Sequence, residues 1–207
     1  MGRATLGGQP PARSYAYLDH PGPIPLVHRA AGGEHPENTL PAILAVVALG
    51  FRYVETDART TADGVAVLAH DADLRRVAGH RVRVADLTSR SLAGLPLGPA
   101  APGGPSVVPR LDEVLDACPD LRLNIDLKDD AAAVAVADAL ARAGGADRVC
   151  VTSFADRRID AFRRLAGPEV CTGMGVRRSA ALWSSARLSS ARLLPARLSP
   201  ERLPFRP

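Results

Sequence analysis

Phe51-Arg-Tyr-Val-Glu-Thr-Asp57 is the stretch on which the reading of this chain turns. A run of β-formers ends in two carboxylates at i and i+2, and strand alternation puts Glu55 and Asp57 on the same side. Two like charges buried side by side are costly unless a cation sits between them. All-oxygen ligation selects Mg²⁺ or Ca²⁺ over Zn²⁺. The same spacing also fits an exposed strand end with two solvated acids, so the flanking sequence has to decide.

Working outward, thirteen residues after Asp57 comes His70-Asp71, closing the apolar run Val65-Ala-Val-Leu-Ala69. The Asp63-Gly64 turn signal lies between. Upstream, Pro25-Leu-Val-His28-Arg29 is another short apolar run ending in a charged pair. Three strand-like runs thus end in chemically capable residues, and a parallel α/β barrel carries its active site at the C-terminal ends of its strands. Further on, Leu121-Arg-Leu-Asn-Ile-Asp-Leu-Lys128 alternates strictly. Asn124, Asp126 and Lys128 share one face, as suits a polar site at a barrel mouth. Lys128 is the sole lysine among 26 basic side chains.

These motifs in this order, His28-Arg29, Pro36-Glu37-Asn38-Thr39, Glu55-x-Asp57, Asp63-Gly64 and His70-Asp71, resemble the glycerophosphodiester phosphodiesterase family over roughly residues 24–175. The resemblance implies an α/β barrel, a divalent metal, and hydrolysis of glycerophosphodiesters to glycerol 3-phosphate and an alcohol. It also implies a carboxylate-x-Lys at Asp126-x-Lys128, where the family commonly has Glu. A second departure is Ala30-Ala31 where the family usually has glycine after His-Arg.

On that resemblance Glu55, Asp57 and Asp126 hold the metal, Mg²⁺ or Ca²⁺, and Arg29 and Lys128 bring positive charge to the phosphate. His28 and His70 share the proton work, one as base and one as acid, with the assignment left open. The nucleophile is water or the substrate's own glycerol hydroxyl. Glu37 and Asn38 either orient the site from behind or cap the following helix, with capping as the first expectation.

Strand candidates fall at 24–29, 52–57, 65–70, 121–127, 148–153 and 169–174, about six of the eight in a (β/α)₈ barrel. Asn38 or Thr39 caps a helix with Pro41 in its first turn that stops at Gly50. Residues 71–108, rich in Gly and Pro, form a loop-rich insertion beside the mouth. Residues 1–23 read as a flexible arm and 24–177 as the partial barrel domain. From 178 to 207, Arg-Leu pairs recur every five residues between Ser, Ala and Pro, a period that suits neither helix nor strand. A low-complexity tail is expected there, as from a truncated or frame-shifted coding sequence. The sheet would then keep an open edge prone to self-association. Two rival readings remain: a catalytically impaired remnant that at most binds or oligomerises, and a related lysophospholipid phosphodiesterase.

The net charge of +4 is concentrated in the tail. From Gly167 onward seven arginines face two glutamates, a net of +5, which leaves −1 for the rest. Nucleic acid is therefore not an expected partner of the domain. Cys118, Cys150 and Cys171 lie far apart without a CxxC, which points to reduced thiols and a cytoplasmic setting. No apolar leader or spanning run is present, so stable membrane insertion is not expected.

Overall fold

The fold is described from a computed structural model over residues 14–31, 33–98 and 105–193. Its centre is a six-stranded sheet. Strands β1 (Val27–His28), β2 (Tyr53–Thr60), β4 (Arg122–Leu127), β5 (Val149–Thr152) and β6 (Cys171–Thr172) run parallel in the order β1-β2-β4-β5-β6. All six expected strands form, but the third is not a barrel strand. β3 (Ala66–Leu68) pairs antiparallel with the end of β2. The reason lies in the connection: Thr61–Val65 is long enough for a hairpin, whereas a parallel return needs a dozen or more residues. Five parallel strands remain, and the barrel is not closed among the described residues.

Alternation divides the sheet into two faces. Val54, Ala58, Leu123, Ile125, Leu127, Val149 and Val151 form the outer face and are buried in the main core. Against it pack α1 (Leu40–Ala48), α4 (Leu111–Ala117), α5 (Ala132–Ala143) and α6 (Asp156–Ala166). The Thr39 hydroxyl caps α1 by accepting from the Ala42 amide, with Pro41 in the first turn. The inner face carries the polar residues discussed below.

The insertion is more ordered than a loop-rich reading implies. It contains α2 (Arg75–Ala78) and α3 (Ser89–Ala93), and Leu74, Val84, Leu92, Leu97 and Val108 bury a separate apolar cluster with Val67. Residues 99–104 of the expected insertion lie outside the described residues.

The described residues at both ends carry structure that the sequence does not signal. The later part of the arm docks: Tyr17, 4% exposed, packs edge-on against Tyr53 beside Cys150 and Cys171 at the floor of the sheet. Its main-chain carbonyl accepts from the Tyr53 hydroxyl at 3.0 Å. The tail continues as a helix, α7 (Val176–Leu193). Arg, Leu and Ala favour helix, and no proline intervenes between Pro168 and Pro195. A repeat of five leaves α7 without an apolar stripe, and Leu182 and Trp183 are accordingly exposed. Asp156 anchors its start, accepting from the amides of Arg177 (3.0 Å) and Arg178 (3.3 Å). Gly175 permits this approach, because a Cβ there would stand 2.6 Å from Asp156 Cγ. The rest of the tail and residues 1–13 lie outside the described residues.

Candidate active site

Strand register stacks the inner-face side chains in rows. His28, Glu55, Asn124, Cys150 and Cys171 are successive partners in one row. Asp57, Asp126 and Thr152 form the next row toward the mouth. The two carboxylates of β2 therefore do share a face, and the acid of β4 lies directly beside the upper one.

That upper row is held together by cations. Lys128 Nζ donates to Asp126 Oδ2 at 2.6 Å and lies 2.9 Å from Asp57 Oδ1. Burial opposes the ammonium, but the two carboxylates outweigh it and raise the Lys128 pKa. Arg29 Nε approaches Asp57 Oδ2 at 3.1 Å, and Asn38 Nδ2 donates to the same oxygen at 3.0 Å. The Thr56 hydroxyl donates to Asn38 Oδ1 at 2.8 Å. Arg29, Ala30 and Asn38 all have left-handed backbones, at φ 56°, 50° and 59°. Non-glycine residues adopt this region at a cost, and such strain collects at functional loops. The expected glycine position is thus filled by Ala30 at a conformation that glycine would take freely. Capping is not the role of Glu37 or Asn38. Thr39 caps α1, Asn38 ties the loop to β2, and Glu37 binds Arg29 and Arg76.

Glu55 sits one row deeper, its Oε2 3.6 Å from His28 Nε2. Burial, followed by repulsion from Asp57, pushes the Glu55 carboxyl up to about 7 against the pull of Lys128 and Arg29. His70 reaches the mouth by the hairpin. β3 returns toward the level of Asp57, whose carbonyl accepts from the Ala69 amide at 2.9 Å. Arg59 donates twice to the His70 carbonyl, at 3.0 and 2.8 Å. His70 Nδ1 lies 2.7 Å from Asp71 Oδ1, and Arg76 Nε donates to Asp71 Oδ2 at 2.6 Å. Arg59 and Arg76 are the residues that sequence reasoning missed as part of this cluster, and Asp71 reads there only as the motif neighbour of His70, with no role of its own. The Glu37–Arg76 pair spans 39 residues and leaves no local pattern to read.

Beside these groups is a cavity of about 450 Å³. Glu55, Asn124 and Asp126 line its polar side, and Phe154, Met174 and Val176 its apolar side. Three carboxylate oxygens, Glu55 Oε2, Asp57 Oδ1 and Asp126 Oδ1, are buried without a hydrogen bond. Asp57 Oδ1 is within ion-pair distance of Lys128 but lacks hydrogen-bond geometry. Unsatisfied acceptors of this kind are costly, and hard oxygen donors of this number suit a hard divalent cation. The acids are not gathered into a finished cage: among the described residues no three His, Cys, Asp or Glu side chains group as metal ligands.

Residues 28–185 match the Glycerophosphoryl diester phosphodiesterase family, reaching about ten residues past the point near 175 where the resemblance in the sequence ends. The probable glycerophosphodiester phosphodiesterase 2 of Mycobacterium tuberculosis is 36% identical over 182 residues, covering 87% of this chain and 66% of that protein. A lysophospholipase D of Rattus norvegicus is 36% identical over 109 residues, 49% of this chain and 35% of that protein. The chain thus spans less than two thirds of these relatives' length. Among solved structures, a glycerophosphoryl diester phosphodiesterase domain from Mycobacterium tuberculosis superposes with a TM-score of 0.68 at 28% identity, covering 79% of this chain and 64% of that one. A putative glycerophosphoryl diester phosphodiesterase from Silicibacter pomeroyi gives the same TM-score at 27% identity, with 78% and 68% covered. With its carboxylate pair on β2, its acid-x-Lys at the end of β4 and a family match over most of its length, the chain belongs to the glycerophosphoryl diester phosphodiesterase family.

Proposed function

We propose that this chain hydrolyses glycerophosphodiesters to glycerol 3-phosphate and an alcohol, with a divalent metal, Mg²⁺ or Ca²⁺, held by Glu55, Asp57 and Asp126. The observation that carries the reading is the set of three buried, unbonded carboxylate oxygens beside Arg29 and Lys128 at one strand-end mouth. Bound there, the metal supplies Lewis-acid stabilisation of charge on the phosphoryl oxygens. The chain's own groups do the rest. Arg29 and Lys128 compensate the anionic phosphate. His28 and His70 divide the proton work: one takes a proton from the attacking water, or from the substrate's glycerol hydroxyl with water then opening the resulting cyclic phosphate, and the other gives one to the leaving alkoxide as its P–O bond breaks. Asn38 and Glu37 hold Asp57 and Arg29 in place from behind. Release of glycerol 3-phosphate from glycerophosphocholine, measured with metal and then with chelator, tests the reading.

A second substrate preference is favoured by one observation. The apolar wall comes from Phe154, Met174 and Val176, each half or more exposed at the mouth or nearly so, rather than from the insertion. A lysophospholipid would lay its acyl chain there. Comparing turnover of lysophosphatidylcholine and glycerophosphocholine in the parent and in Phe154→Ala separates the two preferences. We place the protein in the cytoplasm on its three free, buried thiols. Among the described residues no helix is long and apolar enough to cross a membrane.

A further inference from the structure

Arg76 joins the loop after β1 to the loop that carries His70. On one side it grips Glu37 with two nitrogens, at 2.6 and 3.2 Å. On the other its Nε donates to Asp71 Oδ2 at 2.6 Å, while Asp71 Oδ1 meets His70 Nδ1 at 2.7 Å. Glu37 in turn touches Arg29 at 3.5 Å. The five side chains form one continuous ionic path from Asp57's partner to His70.

We propose that Arg76 is a positioning residue for His70, and that it fixes which imidazole nitrogen faces the substrate. This rests on the role proposed for His70 above. An ionised Asp71 accepts from Nδ1–H, so the neutral ring keeps its proton on Nδ1 and turns an unprotonated Nε2 outward. Arg76 keeps Asp71 aimed at the ring. Arg59 pins the same histidine at its carbonyl, so the ring has a fixed pivot and a fixed far contact.

Stability does not explain the arrangement. Arg76 is half exposed, and exposed ion pairs add little to stability. What the geometry supplies is orientation: a planar guanidinium satisfies two carboxylates at once, which a lysine ammonium cannot match in shape. Outer partners of metal-bound histidines are worth about 10–100-fold in affinity or activity, and a loss of that order is expected for an outer partner of a proton-transferring histidine.

The test compares Arg76→Ala, Arg76→Gln and Arg76→Lys with the parent. The first readout is the ¹⁵N NMR pattern of the His70 ring, which reports its tautomer whether or not the chain turns over substrate. The parent should show a single Nδ1–H form and the Ala and Gln variants a mixture. The second readout is kinetic: kcat should fall about 10–100-fold with KM nearly unchanged, Lys should restore little, and added guanidinium should recover part of the rate in Arg76→Ala. An unchanged His70 tautomer in a folded Ala or Gln variant would overturn the proposal. So would a rate loss that merely tracks the folded fraction and shows no guanidinium rescue. A parent without hydrolase activity would overturn the proposed function and leave the NMR arm to decide the role of Arg76.

Discussion

Asp57 and Asp126, partners across β2 and β4, share the ammonium of Lys128. Neither acid could lie buried beside the other without that charge, or one in its place. Lys128→Met should therefore destabilise the chelator-treated protein by about 3 kcal/mol or more, the cost of stranding a buried charge. Added Mg²⁺ or Ca²⁺ should then raise its melting temperature more than that of the parent. Equal stability of parent and variant in chelator would contradict this.

Glu55 gives the protein a pH signature. Its ordinary value is 4.5 and in the fold it is about 7, so across that window the folded state holds a proton that the unfolded chain has released. Stability of the metal-free protein should fall as pH rises through the window, because the unfolded state binds fewer protons. Glu55→Gln should flatten the slope and lose the metal-induced rise in melting temperature. A variant with the parent's slope and the parent's metal shift would refute both assignments.

The two histidines are tested by turnover. His28→Ala and His70→Ala should each lower kcat by about 10²–10⁴-fold, the usual contribution of general acid–base catalysis. A histidine whose removal leaves the rate intact has no proton to move.

What could be read from the sequence follows the range of the interactions. Glu55, Asp57, Asp126 and Lys128 were readable because strand alternation fixes their face within a few residues. The direction of β3 was also in the sequence, in the shortness of the Asp63-Gly64 link, although counting apolar runs alone makes it a barrel strand. Arg76 was not readable, since its partner Glu37 is brought near only by the tertiary fold. Tyr17 was hidden in a Gly- and Pro-rich context that gives no hint of a docked aromatic. The tail misled because amphipathic periodicity was the criterion, whereas α7 is anchored by Asp156 and is exposed over residues 176–187.

The docked arm has a measurable worth. Tyr17→Ala removes a buried ring from the floor of the sheet and should cost about 3–5 kcal/mol, as aromatic truncations in cores do. Urea unfolding measures it. A change within about 0.5 kcal/mol, the range of ordinary surface substitutions, would mean that the arm does not dock in solution.

If a metal at Glu55, Asp57 and Asp126 serves phosphodiester hydrolysis at this mouth, turnover must depend on it. The most direct measurement is glycerol 3-phosphate release from glycerophosphocholine by the purified, folded protein, titrated with Mg²⁺ and Ca²⁺ and repeated with chelator and with Glu55→Gln. Release should rise with metal, stop with chelator and be absent in Glu55→Gln. Release that continues unchanged in chelator, or no release at saturating metal, would contradict it.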